Sequence, residues 1–149
     1  MDKTIINNRK AGFDYFLREK IEAGLVLEGW EVKSLREGKV NIQESYVMNI
    51  GGNITLVGCH ISPMTQASSH TQCDPVRNKR LLLNKREIDH LIGSVERKGF
   101  TCVPVSLYFK GGKVKLEIAL AEGKKQHDKR ATEKTKEMKR EADRAIKGR

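Results

Sequence analysis

Three sets of side chains in this sequence have types and spacings that bear on chemistry. Cys59-His60 and His70 with Cys73 are four potential metal ligands. A structural zinc site holds its ligands in tight pairs, whereas the run 61–69 between these two halves is loop-like. They read as two surface histidines and two small thiols, and no metal or other cofactor is expected. Glu19 with Glu22 and Glu28 with Glu31 are carboxylate pairs of the kind that share acid and base work. Arg18, Lys20 and Lys33 beside them point instead to ordinary surface ion pairs. No G-x-S-x-G, H-E-x-x-H or G-x-x-x-x-G-K-[ST] occurs, nor a G-x-G-x-x-G that opens a helix after a strand. An enzyme is therefore not expected. The third set is basic: Arg9-Lys10, Arg77-Asn78-Lys79-Arg80, Lys85-Arg86, the lysines of 110–115, and Lys124-Lys125. Each adjoins a predicted strand end or hairpin, where loops can present charge to phosphates. Phe13, Tyr15, Phe16, Trp30 and Tyr108 lie close to these clusters and can stack on bases. Aromatic rings also dominate small cores, so most are expected inside. That favours structured RNA, read by shape and backbone, over a single strand laid across an aromatic sheet.

Charged loops need strands to hold them apart. Val103, Val105, Leu107 and Phe109, then Val114, Leu116, Ile118 and Leu120, alternate with period two on either side of Gly111-Gly112, which predicts a β-hairpin. A second hairpin is predicted from 46–50 and 54–61 around Gly51-Gly52-Asn53, with shorter strands at 25–27 and 80–83. The clearest helix starts at Asn84, which with Glu87 forms a capping-box pair. It buries Ile88, Leu91, Ile92 and Val95 and stops at Gly99. Shorter helical turns are predicted at 32–37 and 11–16. Short antiparallel strands, glycine turns and about three flanking helices predict a mainly β fold, an OB-like antiparallel Greek-key barrel.

The chain of 149 residues carries 29 Lys and Arg against 19 Asp and Glu, a net +10. Residues 123–149 hold 11 basic and 5 acidic side chains, so most of the excess sits at this end. That segment lacks the apolar surface needed to offset chain ordering. The division expected is an OB-like RNA-binding domain over 1–122 and a basic tail over 123–149, unpacked when free. Met138, Ala142, Ala145 and Ile146 nevertheless recur at helical spacing, and Glu133 with Lys136, Glu137 with Arg140 and Glu141 with Arg144 are i to i+3 ion pairs. An isolated helix of this length is marginal in water, so the tail is expected to become helical on a target. The longest aliphatic runs, such as Leu81-Leu82-Leu83, fall far short of the ~20 residues that span a bilayer. The first thirty residues hold no apolar segment of a secretory signal. Three scattered cysteines fit a reducing compartment, and a cytoplasmic monomer is expected.

Asn8-Arg9-Lys10-Ala11, Phe13-Asp14-Tyr15-Phe16, Glu22-Ala23-Gly24, Gly29-Trp30-Glu31-Val32-Lys33-Ser34-Leu35-Arg36, His60-Ile61-Ser62-Pro63, Lys79-Arg80-Leu81-Leu82-Leu83 and, above all, Gly123-Lys124-Lys125-Gln126-His127-Asp128-Lys129-Arg130 run in order along the chain. Together they resemble the SmpB family, the SsrA-binding partners of transfer-messenger RNA in bacterial trans-translation. The resemblance implies an OB-like barrel without catalytic activity, an adaptor that binds the tRNA-like domain of transfer-messenger RNA and delivers it to the A site of stalled ribosomes. It implies an RNA-binding face at Asn8, Glu22, Leu82 and Lys113, and a tail that begins with His127, Asp128, Lys129 and Arg130 and works in the decoding centre of the small subunit. Lys113 suits phosphate, and Asn8 carries both a donor and an acceptor for a sugar or base edge. Glu22 suits a base amino group or the orientation of a nearby cation. Leu82 alone reads as one more core leucine, and only the resemblance sets it against an unstacked base. The rivals are a ribosomal or single-strand-binding OB protein and an RNA-modifying or cleaving enzyme, and the second would need a convergent acid/base pair that the sequence does not display. If the body neutralises several phosphates, the logarithm of its affinity for structured RNA falls against the logarithm of salt with a slope of roughly 0.7 to 0.9 per contact. A titration showing a slope near zero would refute that reading.

Overall fold

A computed structural model of the chain describes residues 3–64 and 73–124. In chain order its elements are β1 (Lys3–Asn7), α1 (Arg9–Asp14), β2 (Tyr15–Leu25), α2 (Gly29–Arg36), β3 (Val40–Asn41), β4 (Tyr46–Ile50), β5 (Asn53–Val57), β6 (His60–Ile61), β7 (Lys79–Leu82), α3 (Lys85–Lys98), β8 (Thr101–Lys110) and β9 (Lys113–Gly123). Seven strands form one antiparallel sheet in the order β1-β8-β9-β2-β7-β5-β4, and β3 pairs with β6 in a small second sheet. The large sheet curls until β4 comes beside β8. This is the OB-like arrangement expected, with three helices around it.

The β8–β9 hairpin closes through Gly111 and Gly112 at φ +57° and +77°, left-handed positions that suit glycine best and match the twist of the paired strands. Alternation puts Val114, Leu116, Ile118 and Leu120 into the core. Ala119 and Ala121 are buried too, on the opposite face, where they pack with Val103 and with Ala11 of α1. Small side chains there let α1 lie close to the sheet. α3 starts and stops as predicted: Asn84 Oδ1 accepts from the Glu87 N–H at 2.9 Å, Glu87 Oε1 accepts from the Asn84 N–H at 3.1 Å, and Gly99 ends it at φ +70°. Leu91 and Ser94 are its buried residues, and Val95, expected inside, is exposed. The helix covers the seam between β4 and β8, leaving an apolar groove of about 250 Å³ between Val47, Ile54, Leu91 and Cys102.

Four elements differ from expectation. The strand predicted over 54–61 ends at Val57, because Gly58 turns the chain at φ +78° and a Cβ there would sit 3.1 Å from the Glu44 carbonyl oxygen. His60–Ile61 then pairs with Val40–Asn41. The first helix covers Arg9–Asp14, because Asn8 caps it, and Tyr15 and Phe16 belong to β2. β2 is an eleven-residue strand whose charged outer residues and bulge between Leu17 and Glu19 hide its alternation. α2 starts earlier than expected, at Gly29, because the Glu31 carboxylate accepts the Glu28 N–H at 2.7 Å. Nor are the aromatic rings in the core. Ile42, Leu56, Ile61, Leu107, Leu116, Ile118 and Leu120 fill it with almost no exposure, while Trp30, Phe100 and Phe109 are only half-buried against its edge and Phe16 and Tyr46 are exposed. A narrow curled sheet is filled by branched aliphatic side chains, and rings fit better at its rim.

Glu31 is not a surface ion pair with Lys33. It is fully buried, and its Oε1 and Oε2 lie 2.5 and 3.3 Å from Nη2 and Nε of Arg77. Lys79, also buried, brings Nζ to 3.5 Å from Glu31 Oε2 and donates to the carbonyls of Arg77 and Cys59. Arg77 Nη2 donates to the Val26 carbonyl at 2.9 Å, and its charged state is favoured chiefly by the hydrogen bonds to Glu31. Among the described residues no helix is long and apolar enough to cross a membrane. β9 runs to Gly123, so the tail expected from 123 starts on its last residue, and 125–149 lie outside the described residues. Removing one member of a buried ion pair strands the other, at about 3–5 kcal/mol. Glu31→Ala is accordingly expected to lower unfolding stability by that amount in a urea titration, and a loss under about 1 kcal/mol would show that the pair does not hold the fold.

Candidate nucleic-acid interface

The register of four strands builds one outer face. Gly24 of β2 lies between Leu82 of β7 and Lys115 of β9, and Lys115 in turn lies beside Tyr108 of β8. Two residues along β2 from Gly24 is Glu22, and two along β9 from Lys115 is Lys113. Since side chains alternate across a strand, Glu22, Leu82, Lys113, Lys115 and Tyr108 all point away from the core. Their neighbours Ala23, Leu81, Leu107, Val114 and Leu116 point into it.

Leu82 is 52% exposed and Leu81 3%. The side chain lies across Gly24, where an added Cβ would come within 3.2 Å of Leu82 Cβ. The missing side chain at Gly24 opens a groove of about 350 Å³ lined by Leu25, Leu27, Leu82, Lys113 and Lys115. Leu82 and Lys113, far apart in sequence, thus share one depression with an apolar floor and a cationic rim.

Glu22 borders this face and is held from across β9. Tyr108 Oη–H donates to its Oε2 at 2.6 Å, and Lys110 Nζ lies 3.2 and 3.4 Å from its two oxygens. The tyrosine hydrogen bond, and then Lys110, hold the carboxyl below its usual range, so it is ionised at neutral pH.

Asn8 differs from these three. It is buried at the end of β1, its Nδ2 donates to the Pro104 carbonyl at 2.9 Å and its Oδ1 accepts from the Ala11 N–H. Its neighbour Asn7 shares a row with Ser106, Glu117 and Glu22, three strand spacings or about 14 Å across. In this position Asn8 sets the start of α1, and with it the exposed Arg9 and Lys10.

The basic clusters divide into structural and available charge. Arg77 and Lys79, expected to face phosphate, are spent on Glu31, and Lys10 pairs with Glu44 at 3.2 Å. Lys124 Nζ lies 5.0 Å from the Phe16 ring, with Arg18 at 5.4 Å from the same ring, and donates to the Gly12 carbonyl. Cys59 is buried, which pushes its thiol up to about 11, and burial pushes Cys102 up to about 12. His60 is exposed, and His70 lies outside the described residues.

The family model described as SmpB protein matches residues 5–148. The chain belongs to the SmpB family. It is 57% identical over 146 residues to the SsrA-binding protein of Dechloromonas aromatica (strain RCB), covering 98% of each chain. It is 54% identical over 143 residues to the SsrA-binding protein of Nitrosospira multiformis, covering 96% of this chain and 97% of the other. Among solved structures it is similar to a chain described under "tmRNA-SmpB: a journey to the center of the bacterial ribosome", with a TM-score of 0.66 and 43% identity, covering 81% of this chain and 85% of that one. The SmpB residues expected in a decoding centre, His127, Asp128, Lys129 and Arg130, lie outside the described residues.

Gly24 and the Tyr108 hydroxyl were not legible as parts of this face from sequence, whereas Lys115 falls in the basic run 110–115 singled out there. A glycine inside a strand does signal a close approach, and Gly24 shows one once β2 is known to be a strand. Truncating the buried leucine and its exposed neighbour separates core from face. Leu81→Ala is expected to cost about 2–5 kcal/mol and Leu82→Ala under about 1 kcal/mol, by thermal or urea unfolding. Equal losses would place Leu82 in the core.

Proposed function

We propose that this SmpB chain is an RNA-binding adaptor of bacterial ribosome rescue: it binds the tRNA-like domain of transfer-messenger RNA and delivers it to the A site of stalled ribosomes. The observation that carries this reading is similarity along nearly the whole chain to SsrA-binding proteins, together with the likeness to a chain of the tmRNA-SmpB structure. The role is that of an adaptor, not a catalyst, and it is exercised in the cytoplasm, where ribosomes work.

Two parts share the task in this proposal. The barrel, ending with β9, grips RNA through Glu22, Leu82 and Lys113 on the outer face, with Asn8 fixing the start of α1 beside it. The floor of the groove supplies apolar contact for an unstacked base, and Lys113 and Lys115 supply charge for phosphates. The tail from 123, beginning with His127, Asp128, Lys129 and Arg130, works in the small-subunit decoding centre, where RNA would neutralise its basic face and order it as a helix. A root held by Lys124 on Phe16 and on Gly12 supports this division, because it fixes where the tail leaves the barrel.

A chain truncated after Lys125 is expected to fold and to bind the tRNA-like RNA with unchanged affinity, yet to fail in tagging on stalled ribosomes. Gel-shift titration and a reconstituted tagging assay read the two separately. Loss of RNA affinity in step with tagging would make the tail part of the primary RNA site.

A further inference from the structure

We propose that Phe16 is a positioning residue for the tail: its ring, together with the last carbonyls of α1, seats Lys124 and so sets the direction in which residues 125–149 leave the barrel. The inference rests on the reading above that this tail acts on the ribosome, and it names the side chain through which the barrel aims it.

The core makes no use of Phe16. It belongs to neither cluster of core side chains, is not packed against one, and is 38% exposed. It lies instead where β9 ends. Phe16 pairs in register with Glu122, and Lys124, two residues further along, turns to the same side. The Lys124 Nζ stands 5.0 Å from the ring centroid, within the ~6 Å reach of a cation–π contact. The bulge between Leu17 and Glu19 leaves Arg18 without a partner on β9, and its guanidinium lies 5.4 Å from the same ring. Arg18 Nη2 also meets Glu122 Oε2 at 2.9 Å, and that carboxylate offsets the repulsion between the two cations.

The other half of the seat is α1. A helix ends with carbonyls that lack an intrahelical partner, and a cation is favoured beside them. Lys124 answers both conditions: its N–H donates to the Asp14 carbonyl at 2.9 Å, and its Nζ donates to the Gly12 carbonyl at 3.1 Å. Backbone and side chain of one residue are thus fixed by two elements, just before Lys125, Gln126 and His127. A tail that must reach a second site while the barrel holds RNA does so at an effective concentration set by the length and freedom of its link. Releasing Lys124 lengthens that link and widens the directions open to the tail. The loss therefore falls on the tail's step and not on RNA binding by the outer face.

The test uses the full chain in a reconstituted tagging assay at saturating transfer-messenger RNA. Phe16→Leu keeps an apolar side chain and removes the ring. It is expected to leave gel-shift affinity for the tRNA-like domain unchanged and to slow tagging about 2- to 5-fold, the scale of an exposed cation–π contact. Hydrogen exchange at the Lys124 amide is expected to quicken by a similar factor. Phe16→Trp keeps a ring for the cation and is expected to restore both readouts. Lys124→Met is expected to slow tagging as much as Phe16→Leu, and the double variant to be no slower than either single one, as for two partners in one contact. Unchanged tagging and exchange in Phe16→Leu, failure of Phe16→Trp to restore them, or additive losses in the double variant would overturn the assignment. So would RNA affinity that falls in step with tagging, which would make Phe16 an RNA contact, and so would a Phe16→Leu chain that no longer folds by circular dichroism, which would place the ring in the core. A chain truncated after Lys125 that tags as well as the full chain would instead overturn the reading of the tail, while exchange at the Lys124 amide still reports on the seat.

Discussion

A carboxylate buried without exposure is tolerable only where cations and donors surround it, and Glu31 meets that condition through Arg77, Lys79 and the Glu28 N–H. Much of the architecture follows from this one constraint. It starts α2, joins that helix to the beginning of β7, and through the Lys79 ammonium gathers the Cys59 carbonyl at the end of the β5 turn. Because Lys79 is the first residue of β7 and must point inward, Leu81 points inward and Leu82 outward. A slip of one residue would exchange the two leucines and erase the apolar floor of the outer face. The geometry of the candidate interface is thus indexed by a charge pair on the other side of the strand.

The same accounting of charge separates two populations of basic residues that look alike in sequence. Arg77 and Lys79 are consumed inside the fold, and Lys10, Arg18 and Lys20 are balanced by Glu44, Glu122 and Glu117 at the surface. Exposed pairs of that kind contribute little to stability, but they trim the field. On the outer face of the sheet Lys113 and Lys115 stand beside a groove and Lys110 offsets Glu22. The face is cationic enough for a polyanion and still holds one oriented negative acceptor.

Some of this is legible in the amino-acid sequence alone. The β8–β9 hairpin announces itself through alternation and a glycine pair, and α3 through Asn84, Glu87 and Gly99, because each signal is local. β2 was not readable, since its charged outer residues and its bulge break the alternation and its inward residues include Ala23. Glu31 is hidden in the sequence for a related reason: its partner Arg77 stands 46 residues away along the chain, so proximity in sequence points to Lys33 instead. The aromatic residues were assigned by their average habits, and the narrow interior left them at the rim. For the outer face, residue types alone favoured a core position for Leu82, and family resemblance put it outside. The half-exposed side chain agrees with the second placement, which depends on strand register and not on composition.

The strand pairing also fixes when the sheet can be completed. β2, made early, finds its longest partner in β9, and β1 pairs with β8 at the sheet's edge, so Asn8 bonds to Pro104 across 96 residues and Arg18 to Glu122 across 104. Few of these contacts can form until β8 and β9 exist. Folds dominated by such distant pairings reach the native state in milliseconds to seconds, slower than helical bundles of similar size. During synthesis the β4–β5 hairpin can form alone, while β1 and β2 wait with unpaired edges. Charged residues along the outer side of β2, Arg18, Lys20 and Glu22, give that waiting strand protection against pairing with another nascent chain.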